Sequence, residues 1–228
     1  MASKTPKSTK TLATSSVLAR AVNGISGLLR GADSAPEPSG EKDAAWYNER
    51  FENTPEYRVH YTESSYYFLW TVVVDRIRRF GAKRILDLGC GPGQFASMLY
   101  DNGIAAYRGL DLSSTSIRMA RARCPSFEFQ EADLRHPDAM RGYDYDCLVT
   151  MEFLEHVPFD LEVLERIKSG ARVIATVPNF PYVSHVRHFR DADEVRSRYQ
   201  RHFSSFTVDA FLENQQGKTF FLMEGTKS

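Results

Sequence analysis

Glu152, Glu155 and His156 stand in E-x-x-E-H spacing just after the apolar run Tyr143 to Thr150. If Glu152 opens a helical turn, the partners three and four residues on share its face, so two carboxylates and an imidazole converge. Such a set binds a divalent ion, and its oxygen-rich character favours Mg²⁺ or Mn²⁺ over zinc. An ion held there lowers the pKa of a bound hydroxyl and turns it into a nucleophile. The metal-free reading keeps an imidazole as general base, drawn from His156, His185, His188 or His202, because histidine titrates near neutral pH. A second group lies upstream, in Ile85-Leu-Asp-Leu-Gly-Cys-Gly-Pro-Gly-Gln-Phe95, where Gly89, Gly91 and Gly93 alternate behind Asp87. Glycines so placed let the backbone approach a ligand where any Cβ would clash, although strand-to-helix turns also use glycine for geometry alone. Eighteen residues past Gly93, Asp111 closes a short apolar stretch and is followed by Leu112-Ser-Ser. An acid there accepts hydrogen bonds from ribose hydroxyls in doubly wound proteins, which favours a nucleotide-cofactor site.

These residues need a scaffold that delivers them to one edge. Arg84 to Leu88, Ala106 to Asp111, Phe127 to Gln130, Tyr143 to Thr150 and Arg172 to Asn179 read as five strands. Phe95, Met98 and Leu99 begin a helical face between the first two. The alternation predicts an α/β fold: a doubly wound, mostly parallel sheet in a three-layer αβα sandwich, with ligands at the strands' carboxyl ends. Ahead of it, residues 45–82 are dense in aromatics, and Tyr66 to Ile77 reads as a helix packed on the sheet. Tyr57, Arg58, His60 and Tyr61 either line the cleft or pack as amphipathic core. Asp191 to Arg201 reads as a charged helix, Thr207 as the N-cap of a helix over Val208 to Glu213, and Thr219 to Met223 as a last strand.

The pattern D-x-G-x-G-x-G of Asp87 to Gly93 resembles motif I of the class I S-adenosylmethionine-dependent methyltransferases. A nicotinamide site would want G-x-G-x-x-G, and here the third glycine falls one position early. The resemblance implies S-adenosylmethionine as cofactor, bound by Asp87, Gly89, Cys90, Gly91 and Gly93 at the loop, and by Asp111 and Leu112 at the ribose. It places Asp133 near the adenine amino group beside Leu134, and Met151 on the cofactor wall. Met151 to Pro158 also resembles the matching segment of ubiquinone-biosynthesis O-methyltransferases. The same E-x-x-E-H element, with His202 and Thr207 downstream, resembles small-RNA 2′-O-methyltransferases, whose metal is held by two glutamates and two histidines. That likeness makes Glu152, Glu155, His156 and His202 the expected metal set and the expected acceptor-activating residues. Family members finish on an antiparallel strand pair, of which only one strand is evident here, so the sheet is expected to lack its last strand or to carry it displaced.

Bulk composition narrows the acceptor. Basic and acidic residues number 29 each, so formal charge is zero, and the basic excess that neutralises long nucleic acid is absent. A small-molecule hydroxyl, such as a quinone precursor, sugar or secondary metabolite, is the favoured acceptor. An RNA ribose is the alternative, with Arg187, Arg190, Arg196, Arg198 and Arg201 as its candidate groove or else as a solvated helix face. A non-catalytic cofactor-binding scaffold is the rival from another class. Three widely spaced cysteines, Cys90, Cys124 and Cys147, suit a reducing, cytoplasmic setting, with Cys90 a buried filler rather than a nucleophile. Residues 1–44 read as a basic tail and linker, with no acid before Asp33. Within 12–30, Val17, Leu18, Ala21, Val22, Ile25, Leu28 and Leu29 form a helical stripe, open to three readings: a frayed tail or partner-docking helix, a basic membrane-surface helix, or an organelle transit peptide.

Overall fold

The computed structural model describes residues 40–213 and 217–228. The helical stripe expected at residues 12–30 lies outside them. Apolar runs that alternate between two faces make the central layer. Along β1 (Arg84–Leu88) and β4 (Cys147–Met151), Ile85, Cys147 and Val149 face one core while Leu86, Leu88 and Leu148 face the other. β5 (Arg172–Pro178) sends Ile174 to the first core and Val173, Ala175 and Val177 to the second. Burial on both faces is what a parallel strand between two helical layers requires. With β2 (Ala106–Asp111), β3 (Glu128–Glu131), β6 (Phe203–Leu212) and β7 (Thr219–Lys227), they form one seven-stranded sheet in the order β3-β2-β1-β4-β5-β7-β6. β7 runs antiparallel to β5 and β6, and the remaining pairs are parallel.

On one face lie α2 (Tyr67–Phe80), α3 (Gln94–Asp101) and α4 (Ser114–Arg123); on the other lie α5 (Asp160–Glu165) and α6 (Ala192–Tyr199). Helix α2 follows from spacing: Leu69, Trp70, Val73, Val74 and Ile77 form one buried stripe. Gly81, at φ 65°, ends it by donating back to the Arg78 carbonyl. A further helix, α1 (Ala44–Asn53), is started by Asp43, whose side chain accepts from the Trp46 amide. The expected doubly wound three-layer architecture is the one observed.

Two expectations fail at the C-terminal end. The sheet does not lack its last strand, and Val208 to Glu213 does not form a helix capped by Thr207. Thr207 lies within β6, its hydroxyl 3.4 Å from Glu224 on β7. Period-two patterning prevails there: Phe206 and Val208 pack into one core, while Asp209 and Phe211 turn to α2, meeting Arg76 and Phe68. The uninterrupted Phe220-Phe-Leu-Met223 run of β7 is buried on both faces, Phe220 and Leu222 in the first core and Phe221 and Met223 in the second, while β6 covers its outer edge.

Candidate functional site

At the carboxyl end of β1 the chain turns through Gly89, Gly91 and Gly93, with φ of 74°, 53° and 78°. These left-handed values explain the glycines, and two are crowded as well. A Cβ on Gly93 would lie 2.9 Å from the Ala120 Cα, and one on Gly89 would lie 3.0 Å from the Phe153 ring. Gly91 instead faces the ring of Phe51 on α1, with 3.9 Å to a notional Cβ. Asp111, at the end of β2, accepts from the Gly91 amide at 2.9 Å and the Ser113 amide at 2.8 Å. Burial raises its pKa, and those two bonds oppose the rise. Asp87 is buried below the loop and accepts the Tyr107 hydroxyl at 2.6 Å; burial pushes its pKa up to about 7. Cys90 is buried against Gly109, its thiol raised by burial, as befits a filler.

Asp133 follows β3 and accepts from the amide and guanidinium of Arg135, which also pairs with Glu41 at 2.6 Å. Leu112 is half-buried beside Asp111, Leu134 is buried, and Met151 ends β4. Loop, Asp111, Asp133 and Met151 therefore meet along the carboxyl edge of β1 to β4. Of the four cap residues singled out, Tyr57 packs on Phe51 with its phenol beside Arg50, and Tyr61 lies partly buried against the first core. Arg58 pairs with Glu52, His60 caps its own 3-10 turn, and Tyr61 donates to Asp101.

Beyond β4 the backbone departs from the expected helical turn. Glu152 carries φ 52° without being glycine, a conformation that costs energy and clusters at functional sites. Thr176 on β5 holds it, accepting the Glu152 amide and donating to its Oε1 at 3.0 Å. A 3-10 turn over Leu154–His156 comes next. Glu155 is fully buried, and neither of its carboxyl oxygens has a hydrogen-bond partner among the described residues. Burial raises its pKa, and Glu152 nearby adds to the rise. His156 Nε2 lies 3.7 Å from Glu155 Oε1, and His185 Nε2 lies 4.0 Å from the same oxygen. Their Nδ1 atoms meet the carbonyls of Ser184 and Phe180, at 3.0 and 3.1 Å. Burial lowers the two imidazoles to about 3 and about 4, so both are neutral at pH 7. The loop after β5 is pinned to the turn, since Val186 donates its amide to the Glu155 carbonyl and Arg187 its guanidinium to the Leu154 and Val157 carbonyls.

His202 does not join this set. It precedes β6, whose first residue Phe203 stands opposite Lys227, while Thr226 stands opposite Arg172, the first residue of β5. His202 therefore sits at the amino end of the sheet, roughly 20 Å along the strands from the cluster, with its imidazole beside Arg201. His185, named only among general-base candidates, takes its place. The available signal was a histidine soon after Pro178-Asn179, at the carboxyl end of β5. Sequence reasoning also missed the clasp over the site. On α1, Arg50 donates to the Tyr182 hydroxyl at 2.5 Å, Tyr47 sets its ring edge-on to His156, and Asn48 accepts from Ser113 and Thr115 at the head of α4.

A family model described as a methyltransferase domain matches residues 85–173, the stretch that runs from the glycine loop through the Glu155 turn to the start of β5. Residues 85–173 thus match a methyltransferase domain. Among curated relatives, this domain is 34% identical over 92 residues to trans-aconitate 2-methyltransferase of Rhizobium rhizogenes, covering 39% of this chain and 34% of that protein. It is 35% identical over 106 residues to ubiquinone biosynthesis O-methyltransferase of Albidiferax ferrireducens, covering 42% of each. The chain thus spans less than half the length of these relatives. Among solved structures, magnesium protoporphyrin IX methyltransferase from Synechocystis with bound S-adenosylhomocysteine superposes with TM-score 0.59 at 16% identity, over 82% of this chain and all of that one. The methyltransferase domain of bacterial CtHen1-C gives 0.53 at 22%, over 70% and 97%. Among the described residues no helix is long and apolar enough to cross a membrane.

Proposed function

We propose that this chain transfers a methyl group from S-adenosylmethionine to a hydroxyl of a small molecule. One observation carries the reading: the glycine loop with Asp111 and the Glu155–His156–His185 cluster occupy the same edge of the sheet, joined by the Gly89–Phe153 contact. The loop backbone and Asp111 would hold the nucleoside, with Asp133 toward the adenine and Met151 along the wall. When bound, the cofactor supplies a sulfonium methyl group, already a strong electrophile. The protein's part is then to orient the acceptor oxygen in line with that methyl group and to exclude water under α1. Two relatives named for methylation of oxygen-rich small molecules support the acceptor class. Four of the five arginines expected to line an RNA groove are already paired, Arg187 and Arg198 with Asp160, Arg190 with Glu194 and Arg196 with Asp193, while Arg201 lies against His202. That pairing disfavours a polyanionic acceptor.

Calorimetric titration with S-adenosylhomocysteine tests the cofactor, and methyl transfer from labelled cofactor to a panel of catechols and hydroxy acids tests the acceptor. Micromolar binding is expected. Asp111→Ala should weaken it by roughly 100-fold, the worth of two charge-assisted hydrogen bonds. No binding to the wild-type protein would overturn the reading.

A further inference from the structure

We infer that Arg50, with the hydroxyls of Tyr57 and Tyr182, forms a carboxylate site, so that the acceptor is a hydroxy acid rather than a neutral alcohol or phenol; the inference rests on the proposed transfer to a small-molecule hydroxyl. Arg50 donates to the Tyr182 hydroxyl at 2.5 Å, its guanidinium carbon lies 5.7 Å from the centre of that ring, and the Tyr57 phenol stands beside the same guanidinium. All three side chains are half-buried.

The cluster holds donors and lacks an acceptor for them. Glu52 on the same helix is taken by Arg58 and Arg118, and among the described residues no carboxylate comes within ion-pair distance of Arg50. Arg121, Arg123 and Arg166, which also have no acid partner there, give their N–H groups to backbone carbonyls instead. Arg50 donates to a phenol oxygen, and a phenol that accepts still has a hydrogen to pass on. Among the described residues neither Tyr57 nor Tyr182 has an acceptor for that hydrogen, and burial raises the Tyr57 pKa, so the phenol keeps it. A guanidinium fork flanked by two hydroxyl hydrogens matches the two oxygens of a carboxylate. Drawing a positive group partly out of water without a counter-charge is costly, and a bound anion removes that cost.

Helix α1 decides which molecule supplies the carboxylate. Tyr47 shares its inner face with Arg50 and Phe51, three and four residues on. Phe51 meets Gly91 of the cofactor loop, whereas its two companions meet the other half of the edge. Arg50 reaches Tyr182, whose ring centre lies 5.6 Å from that of His185, and Tyr47 faces His156 at 6.3 Å. The guanidinium thus stands on the acceptor side, where it holds the acid end of the molecule while the hydroxyl turns toward the sulfonium. A site built to bind a charged oxygen discriminates strongly, because a neutral analogue leaves its donors unpaired. Charge on the acceptor is therefore the feature that the cleft selects.

The test uses the full chain, saturated with S-adenosylhomocysteine so that no turnover occurs, and calorimetry with gallate, salicylate and lactate, each set against its own amide. At least one acid should bind the wild type roughly 10-fold or more tightly than its amide. Arg50→Met should abolish that preference and leave S-adenosylhomocysteine affinity within about threefold of wild type. Arg50→Lys, which keeps the charge without the fork, should recover part of the preference, and Tyr182→Phe should reduce it several-fold. The site is overturned if no acid binds more tightly than its amide, or if the preference survives Arg50→Met. It is overturned too if Arg50→Met loses about 100-fold in S-adenosylhomocysteine affinity, which would give the guanidinium to the cofactor's own carboxylate. The comparison of acid with amide in the wild type decides the matter even where a variant does not fold. It is run on the unliganded chain as well, so failure of the wild type to bind S-adenosylhomocysteine would strike the proposed activity alone.

Discussion

Asp160 and Glu155 are both fully buried carboxyl groups, five residues apart, and their surroundings are opposite. Arg198 donates to both oxygens of Asp160 at 2.8 Å, the Tyr199 hydroxyl to one of them at 2.8 Å, and Arg187 lies 3.2 Å away. Glu155 receives no donor among the described residues. Burying an ion is tolerable when it is paired and fully hydrogen-bonded. Asp160 meets that condition, and it locks α6 to the start of α5. Glu155 does not: burial and the neighbouring Glu152 raise its pKa, opposed only by a backbone hydrogen bond and the charge of Arg187. The saturated acid holds the fold, while the other gains no comparable pairing from it. Asp87 falls between them, buried with a single donor, Tyr107.

This ordering by donors can be broken by substitution. Asp160→Ala should have the largest effect on stability: two guanidinium groups lose their partner, at a cost of about 3–5 kcal/mol. Thermal unfolding should fall by roughly 10 °C, and a drop of only a degree or two would remove Asp160 from its structural role. Asp87→Asn should act in the other direction and depend on pH. The native pKa of about 7 lies above the ordinary 3.8, so the unfolded chain releases this proton first as pH rises. Stability therefore falls between about pH 4 and 7 and levels off above that, by ~4 kcal/mol. Asn cannot ionise and can still accept from Tyr107, so the variant should be the more stable at pH 8 and should flatten the profile measured by chemical denaturation. Glu155→Gln should change stability least, within about 1 kcal/mol of the wild type, because a neutral amide replaces a carboxyl group that burial already holds against ionising. A loss as large as that of Asp160→Ala would erase the contrast between the two acids.

The cofactor half of this edge was legible because it is built from local backbone. A strand, three glycines with φ of 53° to 78° and an acid at the end of the next strand lie within 27 residues, Ile85 to Asp111. Their order along the chain reproduces their order in space. The strands β1 to β5 could be read for the same reason, since burial on both faces leaves near-continuous apolar runs. The acceptor half was only partly legible. Glu155 and His156 announce themselves by spacing, but their third partner comes from a loop about thirty residues away, and several histidines competed for that place. His202 was excluded by strand register, which no local pattern encodes. The segment Thr207 to Glu213 misled because it has an N-cap residue and apolar positions compatible with a helix, and pairing with β7 outweighed that propensity.

Helix α1 has a consequence for timing. Phe51 lies over the glycine loop, Asn48 grips the head of α4, and Arg50 reaches Tyr182 in the loop that carries His185. On the proposed activity, spent cofactor leaves only when this helix lifts, and lifting it also frees the loop beside the acceptor. Departure of one product and admission of the next substrate then share a single clock, set by how long ten residues stay fastened at three points.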